Sequence, residues 1–496
     1  MNGFKPASFA PAPGRAHRAS MPVITDSPPP ACHSTVTVAP ADDTAATGPY
    51  RGLHILLRSS WQTVNIGDIG HSPGVLALLE KHFPGATLTL WPDYVDRGVR
   101  PMLQRRFPAL TIAEGNIDAT TGQPTTPALA AAIADADLLV HGSGPGIVAL
   151  PHLEAWTRLT NRKPYGIYAI TIDPLGAGPA HQAIPDEGDT LARQRQLVAA
   201  LPPGHLDARQ RRVLDSASFV FCRDTLTLDY LRAQNLRQPR LDFAPDGAFG
   251  IDLRDDVSAA TFLRNYGLRE REFICVIPRL RFTPYHEIHD IPPTPRDEGR
   301  ALVSARHREA DMEKLRALIT RWVRATGLKV LVCPEMTYQV ELGRDLIRQK
   351  LPVDVRNNVV WRSAYWLPDE ACSTYARAHT VVSLDNHSPI FALAVGTPTL
   401  FVRQPSDTTK GQMWTDVGLG DWYFEITDTE TTGLAIAERL LSIHYDRPAA
   451  LARVRAIMDG VRAAQERSIR TLHEAIPDFD RFERVQKPGL CAAATL

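Results

Sequence analysis

Residues Ser383–Val402 read SLDNHSPIFALAVGTPTLFV. An apolar run, HTVVSLD (379–385), stops at Asp385-Asn386-His387, and Ser388-Pro389 opens a short apolar helix over Pro389–Val395. Gly396 closes that helix, and Pro398 leads into a second apolar run, TLFVR (399–403). Two strands apolar along their whole length, joined by a short helix, form a parallel β-α-β unit covered on both faces.

The same rhythm extends upstream. FICVIP (273–278), KVLVCPE (329–335) and NVVW (358–361) read as strands, with helical patterns around Glu298–Thr326, near Tyr338–Lys350 and over Pro368–Ala378. Before them come RGLHILL (51–57), TLTLW (87–91), DLLVHG (137–142), YGIYAIT (165–171) and SFVFC (218–222), with helices at Pro73–His82, Thr126–Ala134 and Leu206–Leu214. The pattern predicts an α/β protein of two Rossmann-like domains facing a cleft, residues 50–255 and 256–430. Helical patterns at Leu434–Leu441 and Ala449–Ala464 predict C-terminal helices over 431–485. Residues 1–49, rich in Pro, Ala, Ser and Thr, read as a disordered tail, and 486–496 as a second tail. PYHEIHDIPPTPR (284–296) interrupts the rhythm and predicts an exposed loop near the domain junction.

Composition narrows the function classes. Lys plus Arg and Asp plus Glu both total 55 in 496 residues, a formal net charge of zero. That balance argues against nucleic acid or an anionic membrane as the main partner. None of the six cysteines stands at CxxC spacing, and Cys222, Cys275 and Cys333 fall in or at the ends of apolar runs. They read as buried thiols, not as a disulfide framework or a metal site. There is no apolar run of about 20 residues to span a bilayer and no secretory pattern at the N-terminus. A cytoplasmic enzyme, soluble or peripheral at the membrane, is the expectation.

Ligands of open parallel sheets bind beyond the carboxyl ends of the strands, so the residues there are the candidates. In NIGDIG (65–70), Asn65 and Gly67 allow a tight turn, and Asp68 can cap a helix whose N-terminus holds an anion, or the turn is plain. In HGSGPG (141–146), Gly142, Ser143 and Gly144 offer backbone N–H groups to a phosphate or sugar hydroxyl, or form a loop that needs positive φ. Arg223 and Asp224 follow a strand: Arg223 suits an ion pair inside the fold and Asp224 a helix cap. Asp246, in APDGAF, is either a base or a turn residue. Arg279 and Arg281 share one face of an extended segment and suit a phosphate or carboxylate. Glu335 binds sugar hydroxyls or caps a helix. His387, between Asn386 and Ser388 at a helix mouth, suits acid–base work. Lys410 and Gln412 follow the next strand and could complete an anion site.

Taken in order, NIGD, the Gly-rich turn, CRD, the junction PD, the Arg-bearing strand end and SLDNHS with AxxxGTP resemble the polysaccharide pyruvyl transferase family over roughly 51–425. The resemblance implies a glycosyltransferase-B-like fold and transfer of pyruvyl from phosphoenolpyruvate to a glycan or lipid-linked sugar, as a ketal. It implies no cofactor or metal beyond phosphoenolpyruvate as co-substrate. It makes Arg279 the donor-binding arginine, with Arg281 in support, and His387 the acid that protonates the donor's methylene. One position departs: where members often carry Arg, this chain has Asp385, a carboxylate that would repel an anion and raise the pKa of His387. Arg403 or Lys410 could stand in for the missing charge. The alternatives are a nucleotide-sugar glycosyltransferase of similar fold and a glycan-binding protein that has lost catalysis.

Overall fold

The computed structural model describes residues 50–176, 188–237, 240–426 and 431–476. The expected tails, 1–49 and 486–496, lie outside these residues. The first sheet holds β1 (His54–Ser59), β2 (Thr87–Pro92), β3 (Thr111–Ile112), β4 (Leu138–His141), β5 (Tyr165–Ile170), β6 (Phe219–Cys222) and β7 (Leu241–Phe243). Its order is β3-β2-β1-β4-β5-β6-β7, and every pairing is parallel. The second sheet holds β8 (Phe273–Ile277), β9 (Lys329–Val332), β10 (Val359–Trp361), β11 (Thr380–Ser383), β12 (Thr399–Arg403) and β13 (Tyr423–Glu425). Its order is β10-β9-β8-β11-β12-β13, again all parallel.

The central strands β1, β4, β5, β8 and β11 are buried along almost their whole length, as their unbroken apolar runs require. Chain order reverses between β1 and β4 in one sheet and between β8 and β11 in the other. Each reversal opens a crevice at the strand ends, where such folds bind ligands.

Several helices differ from the sequence reading. The first runs over Ile66–His82 and passes straight through Pro73, which the sequence reading took as the helix start. Asn65, not Asp68, caps it, its side chain accepting the Gly67 N–H at 2.7 Å. The helix after β11 covers His387–Ala394, so His387 lies inside the first turn and not before it. The Tyr338–Lys350 pattern breaks into Gln339–Leu342, a π turn over Gly343–Ile347 and a 3-10 turn. The long helix, Pro295–Thr326, opens on a capping box between Thr294 and Asp297 and stops at Gly327, whose φ of 67° suits a glycine. Cys222, Cys275, Cys333 and Cys372 are buried free thiols.

The two C-terminal helices close the molecule. Thr431–Tyr445 packs on Pro295–Thr326, with Gly433 so near that a methyl group there would lie 2.7 Å from the Lys314 carbonyl. Arg447–Ala475 returns to the first sheet, where the Tyr168 hydroxyl meets Ser468 Oγ at 3.1 Å and His473 packs edge-on against Phe83 at 4.5 Å. Among the described residues, no helix is long and apolar enough to cross a membrane.

Candidate active site

The crevices of the two sheets meet. Ile66 N–H donates to the Glu335 carbonyl at 3.0 Å and Thr337 N–H to the Val64 carbonyl at 3.0 Å, so the loops after β1 and β9 form an antiparallel bridge. Behind that bridge the Ile66–His82 helix lies directly on the His387–Ala394 helix and on the turn Gly247–Gly250. Gly67, Gly70 and Gly74 form the contact stripe. A Cβ at Gly67 would overlap the His387 ring, one at Gly70 the Phe391 ring, and one at Gly74 the Gly247 carbonyl. The glycines of NIGDIG are thus demanded by opposing side chains, the His387 and Phe391 rings.

The same holds for HGSGPG. Gly142 and Gly144 do not have positive φ. A Cβ at Gly142 would come within 2.8 Å of Ser59 Oγ, and one at Gly144 within 3.0 Å of Trp61 Nε1. Ser143 reaches the site through its hydroxyl, 2.7 Å from His71 Nδ1. His141 stays structural: its ring is fully buried, between the Gly142 carbonyl at 2.8 Å and the Ala149 N–H at 3.2 Å. Burial pushes its pKa down to about 3.

The centre is a pair of histidines. His71 and His387 pack edge to face, with centroids 4.8 Å apart and planes at 90°. His71 is fully buried and its Nδ1 lies 3.0 Å from Asp246 Oδ1. Asp246 also accepts the Ala248 N–H at 2.9 Å and Arg223 Nη1 at 2.5 Å, while Arg223 Nε holds Thr171 Oγ1 at 2.8 Å. Burial alone would raise the Asp246 pKa, but His71 and the Arg223 guanidinium hold it well below the usual carboxylate range. A carboxylate only accepts, so the His71 proton sits on Nδ1 and Nε2 carries the lone pair. Nε2 is buried and has no hydrogen-bond partner among the described residues. Burial lowers the His71 pKa against the pull of Asp246. Asp246, read as a base or a turn residue, is fully buried and holds His71, Arg223 and the Ala248 N–H of its own turn.

His387 is 8% exposed, and among the described residues neither of its ring nitrogens has a hydrogen-bond partner. Glu335 Oε1 approaches Nδ1 to 3.4 Å without hydrogen-bond geometry. Glu335 instead caps the helix, taking His387 N–H at 3.2 Å, Ser388 N–H at 2.6 Å and Ser388 Oγ at 2.7 Å. This is the capping alternative, served to a helix distant in sequence. Asn386 accepts from Trp414 Nε1 at 2.9 Å.

Asp385 takes Gln339 Nε2 at 2.9 Å and lies 3.8 Å from Arg279 Nε. Burial first, then the Glu335 charge, pushes its pKa up to about 6. The rise expected for His387 is not what the site produces: burial dominates there, against the charges of Asp246 and Asp68, and the His387 pKa falls below its ordinary value.

The basic candidates separate. Arg279 Nη1 holds Asp407 Oδ1 at 2.6 Å and Gln404 Oε1 at 3.2 Å, while Nη2 makes no hydrogen bond among the described residues. Lys410 has neither an ion pair nor a hydrogen bond through its ammonium among the described residues, yet its charge acts on Asp407, Arg279, Asp385 and His387. Arg281 does not join them. It is 4% exposed and forks onto Asp311 at 3.0 and 3.2 Å, a structural pair. Arg403 is buried completely between the carbonyls of Asp189 and Asp407 and the Glu425 carboxylate, so Lys410 is the cation left to stand in beside Asp385. Gln412 turns to Thr225 and Asp416. Across the cleft, Tyr285 of the proline-rich segment meets Gln62, which also bonds Asp68.

The sequence reading did not single out His71 or Asp407. His71, Asp246 and His387 do bring ligand-type atoms within 4.8 Å of one another. Three hydrogen bonds already occupy the Asp246 oxygens, which makes the trio a poor cation cage.

No curated protein sequence matches the chain. Similar folds are found in the MnaA–UDP structure from S. aureus (11% identity, 88% of this chain and 99% of that one, TM-score 0.50). They recur in UDP-GlcNAc 2-epimerase from Neisseria meningitidis bound to UDP-GlcNAc (11%, 85% and 100%, 0.48). A third is the E. coli ADP-heptose lps heptosyltransferase II (11%, 80% and 99%, 0.44). At such identities the likeness is one of fold, the two-domain glycosyltransferase-B-like arrangement. The profile of polysaccharide pyruvyl transferase matches residues 65–405. That span opens on Asn65, the cap of the glycine-striped helix, and takes in both histidines, Asp246 and Arg279. The chain therefore belongs to the polysaccharide pyruvyl transferase family and is a transferase.

Proposed function

We propose that the chain transfers the pyruvyl group of phosphoenolpyruvate to two hydroxyls of a glycan sugar as a ketal. The observation that carries this reading is an imidazole whose two nitrogens have no hydrogen-bond partner among the described residues, His387, beside the Lys410 ammonium, likewise without one, and the open Nη2 of Arg279. Phosphoenolpyruvate carries a phosphate and a carboxylate, and Lys410 and Arg279 supply cations for them. His387, as imidazolium, gives its proton to the methylene carbon. The adjacent carbon becomes electrophilic, the sugar oxygens bond to it, and its bond to the phosphate oxygen breaks. Of the two hydroxyl protons released, one replaces the proton given to carbon and the other leaves on phosphate.

The test is the thermal midpoint with and without phosphoenolpyruvate. A ligand at 100 times its Kd stabilises by about 2.7 kcal/mol. The parent protein is expected to gain stability, and Lys410→Ala and Arg279→Ala to lose most of that gain. A parent that ignores phosphoenolpyruvate but responds to UDP-glucose would replace this reading with nucleotide-sugar transfer.

A further inference from the structure

We propose that His71 and His387 hold one proton between them, His387 meeting the substrate and His71 acting through it as a positioning residue. The inference rests on the pyruvyl-transfer reading above. Its starting point is three buried imidazole nitrogens without a hydrogen-bond partner among the described residues, His71 Nε2 and both nitrogens of His387, on two rings in contact at 4.8 Å. Buried polar atoms are nearly always satisfied, and those that are not ask for a functional reason. Here the two rings are too close for both to be cations, because like charges at contact in a dry site repel strongly. One added proton, however, finds a counter-ion in place. Asp246 is fixed against His71 by the Ala248 N–H and Arg223.

The charges facing the pair come from every element around it. Asp246 and Arg223 lie behind His71. Asp68 stands on the first turn of the Ile66–His82 helix, Glu335 after β9, Asp385 before the His387 helix, and Lys410 after β12. The carboxylates Asp68, Asp246 and Glu335 favour a single proton on the pair, while Arg223 and Lys410 weigh against a second.

The chemistry needs such a store. The methylene must be protonated before either sugar hydroxyl has released a proton, so the first proton comes from the enzyme. A C–H bond forms with it, two C–O bonds form to the sugar, and the C–O bond to phosphate breaks. One hydroxyl proton returns to the histidine pair, the other departs with phosphate, and the pair ends as it began. His71, fully buried and locked through Nδ1 by Asp246 and Ser143, keeps the proton from exchanging with bulk water.

The experiment uses the full-length chain with 13Cε1-labelled histidine, the two resonances being assigned by their loss in His71→Asn and His387→Asn. If the rings share a proton, removing His387 shifts the His71 titration midpoint up by at least 0.5 pH unit, and the reverse variant moves His387 likewise. A His71 midpoint unchanged in His387→Asn overturns the proposal. That measurement stands even if His71→Asn fails to fold, in which case His71→Gln is used for the reciprocal arm. Phosphoenolpyruvate is added in parallel: His71→Asn is expected to keep its thermal stabilisation, and losing it would make His71 a binding residue and overturn the positioning role. Absence of stabilisation in the parent protein would instead sink the donor reading, while the titration still decides whether the pair shares a proton.

Discussion

Asp385 shows how a single buried residue makes the stability of the fold depend on pH. Burial and the Glu335 charge push its pKa up to about 6. The folded chain therefore binds its proton more tightly than the unfolded chain does. The sign follows: between pH 6 and the ordinary carboxylate range near 4 the parent gains stability as pH falls, and above pH 6 it carries the cost of a buried charge. His71 and His387, lowered by burial, pull the other way, because the unfolded chain takes up their protons first as pH falls below about 6.5. Asp385→Asn isolates the first effect. Its stability relative to the parent is expected to be higher at pH 8 than at pH 5, read as the difference in thermal midpoints at the two values. A difference that grows on acidification would mean that Asp385 is held ionised by Arg279 at 3.8 Å. His387 was legible in sequence because it stands where an apolar strand run stops. His71 was not, because the sequence pattern starts the helix at Pro73 and leaves His71 in the stretch before it, whereas the helix already begins at Ile66. The signal that could have exposed it was the spacing of Gly67, Gly70 and Gly74, which marks a helix face pressed against another chain segment.

At the scale of the element, that glycine face is what makes the site. The Ile66–His82 helix carries Pro73 in its interior, which removes a hydrogen bond and ordinarily kinks a helix. Contact with the His387–Ala394 helix and the Gly247–Gly250 turn holds it in place. Gly74→Ala would press a methyl group onto the Gly247 carbonyl, and backbone on both sides has nowhere to move. The expected cost is about 1–3 kcal/mol, the usual penalty of overpacking. Gly460→Ala is the control. It too lies inside a helix, Arg447–Ala475, but a methyl group there meets nothing within 4 Å. It is expected to stabilise by about 0.5–1 kcal/mol through helix propensity alone. Urea midpoints of the two variants separate the explanations, since equal effects would mean that the glycines of the stripe serve flexibility and not contact. The strands were legible for a related reason. Buried on both faces, they spell continuous apolar runs. β3, β7 and β13 are two or three residues long and only partly buried, so they leave no such run.

At the scale of the molecule, the Arg447–Ala475 helix decides whether the two sheets behave as one body. Arg447–Ala475 follows the second sheet in sequence, yet it lies against the first through Tyr168–Ser468 and Phe83–His473. Val454, Ile457, Met458, Val461, Ile469 and Leu472 along it are buried. At about 1.5–3 kcal/mol for each such side chain, the helix contributes an amount comparable to the net stability of a whole domain. The first sheet is therefore not closed until Arg447–Ala475 has been made, and the bridge between the loops after β1 and β9 fixes the two histidines across the same junction. Leu472→Ala, at a position with no exposure, tests this. The loss expected for a buried leucine is about 2–5 kcal/mol, and it should appear as one shifted transition in near-UV and far-UV dichroism alike, because the cavity opens beneath a helix that both halves depend on. Two separated transitions would show that the first sheet melts away while the second stands. The His71–His387 contact would then have to be a docking of two independent bodies, and its geometry would depend on closure instead of being built in by the fold.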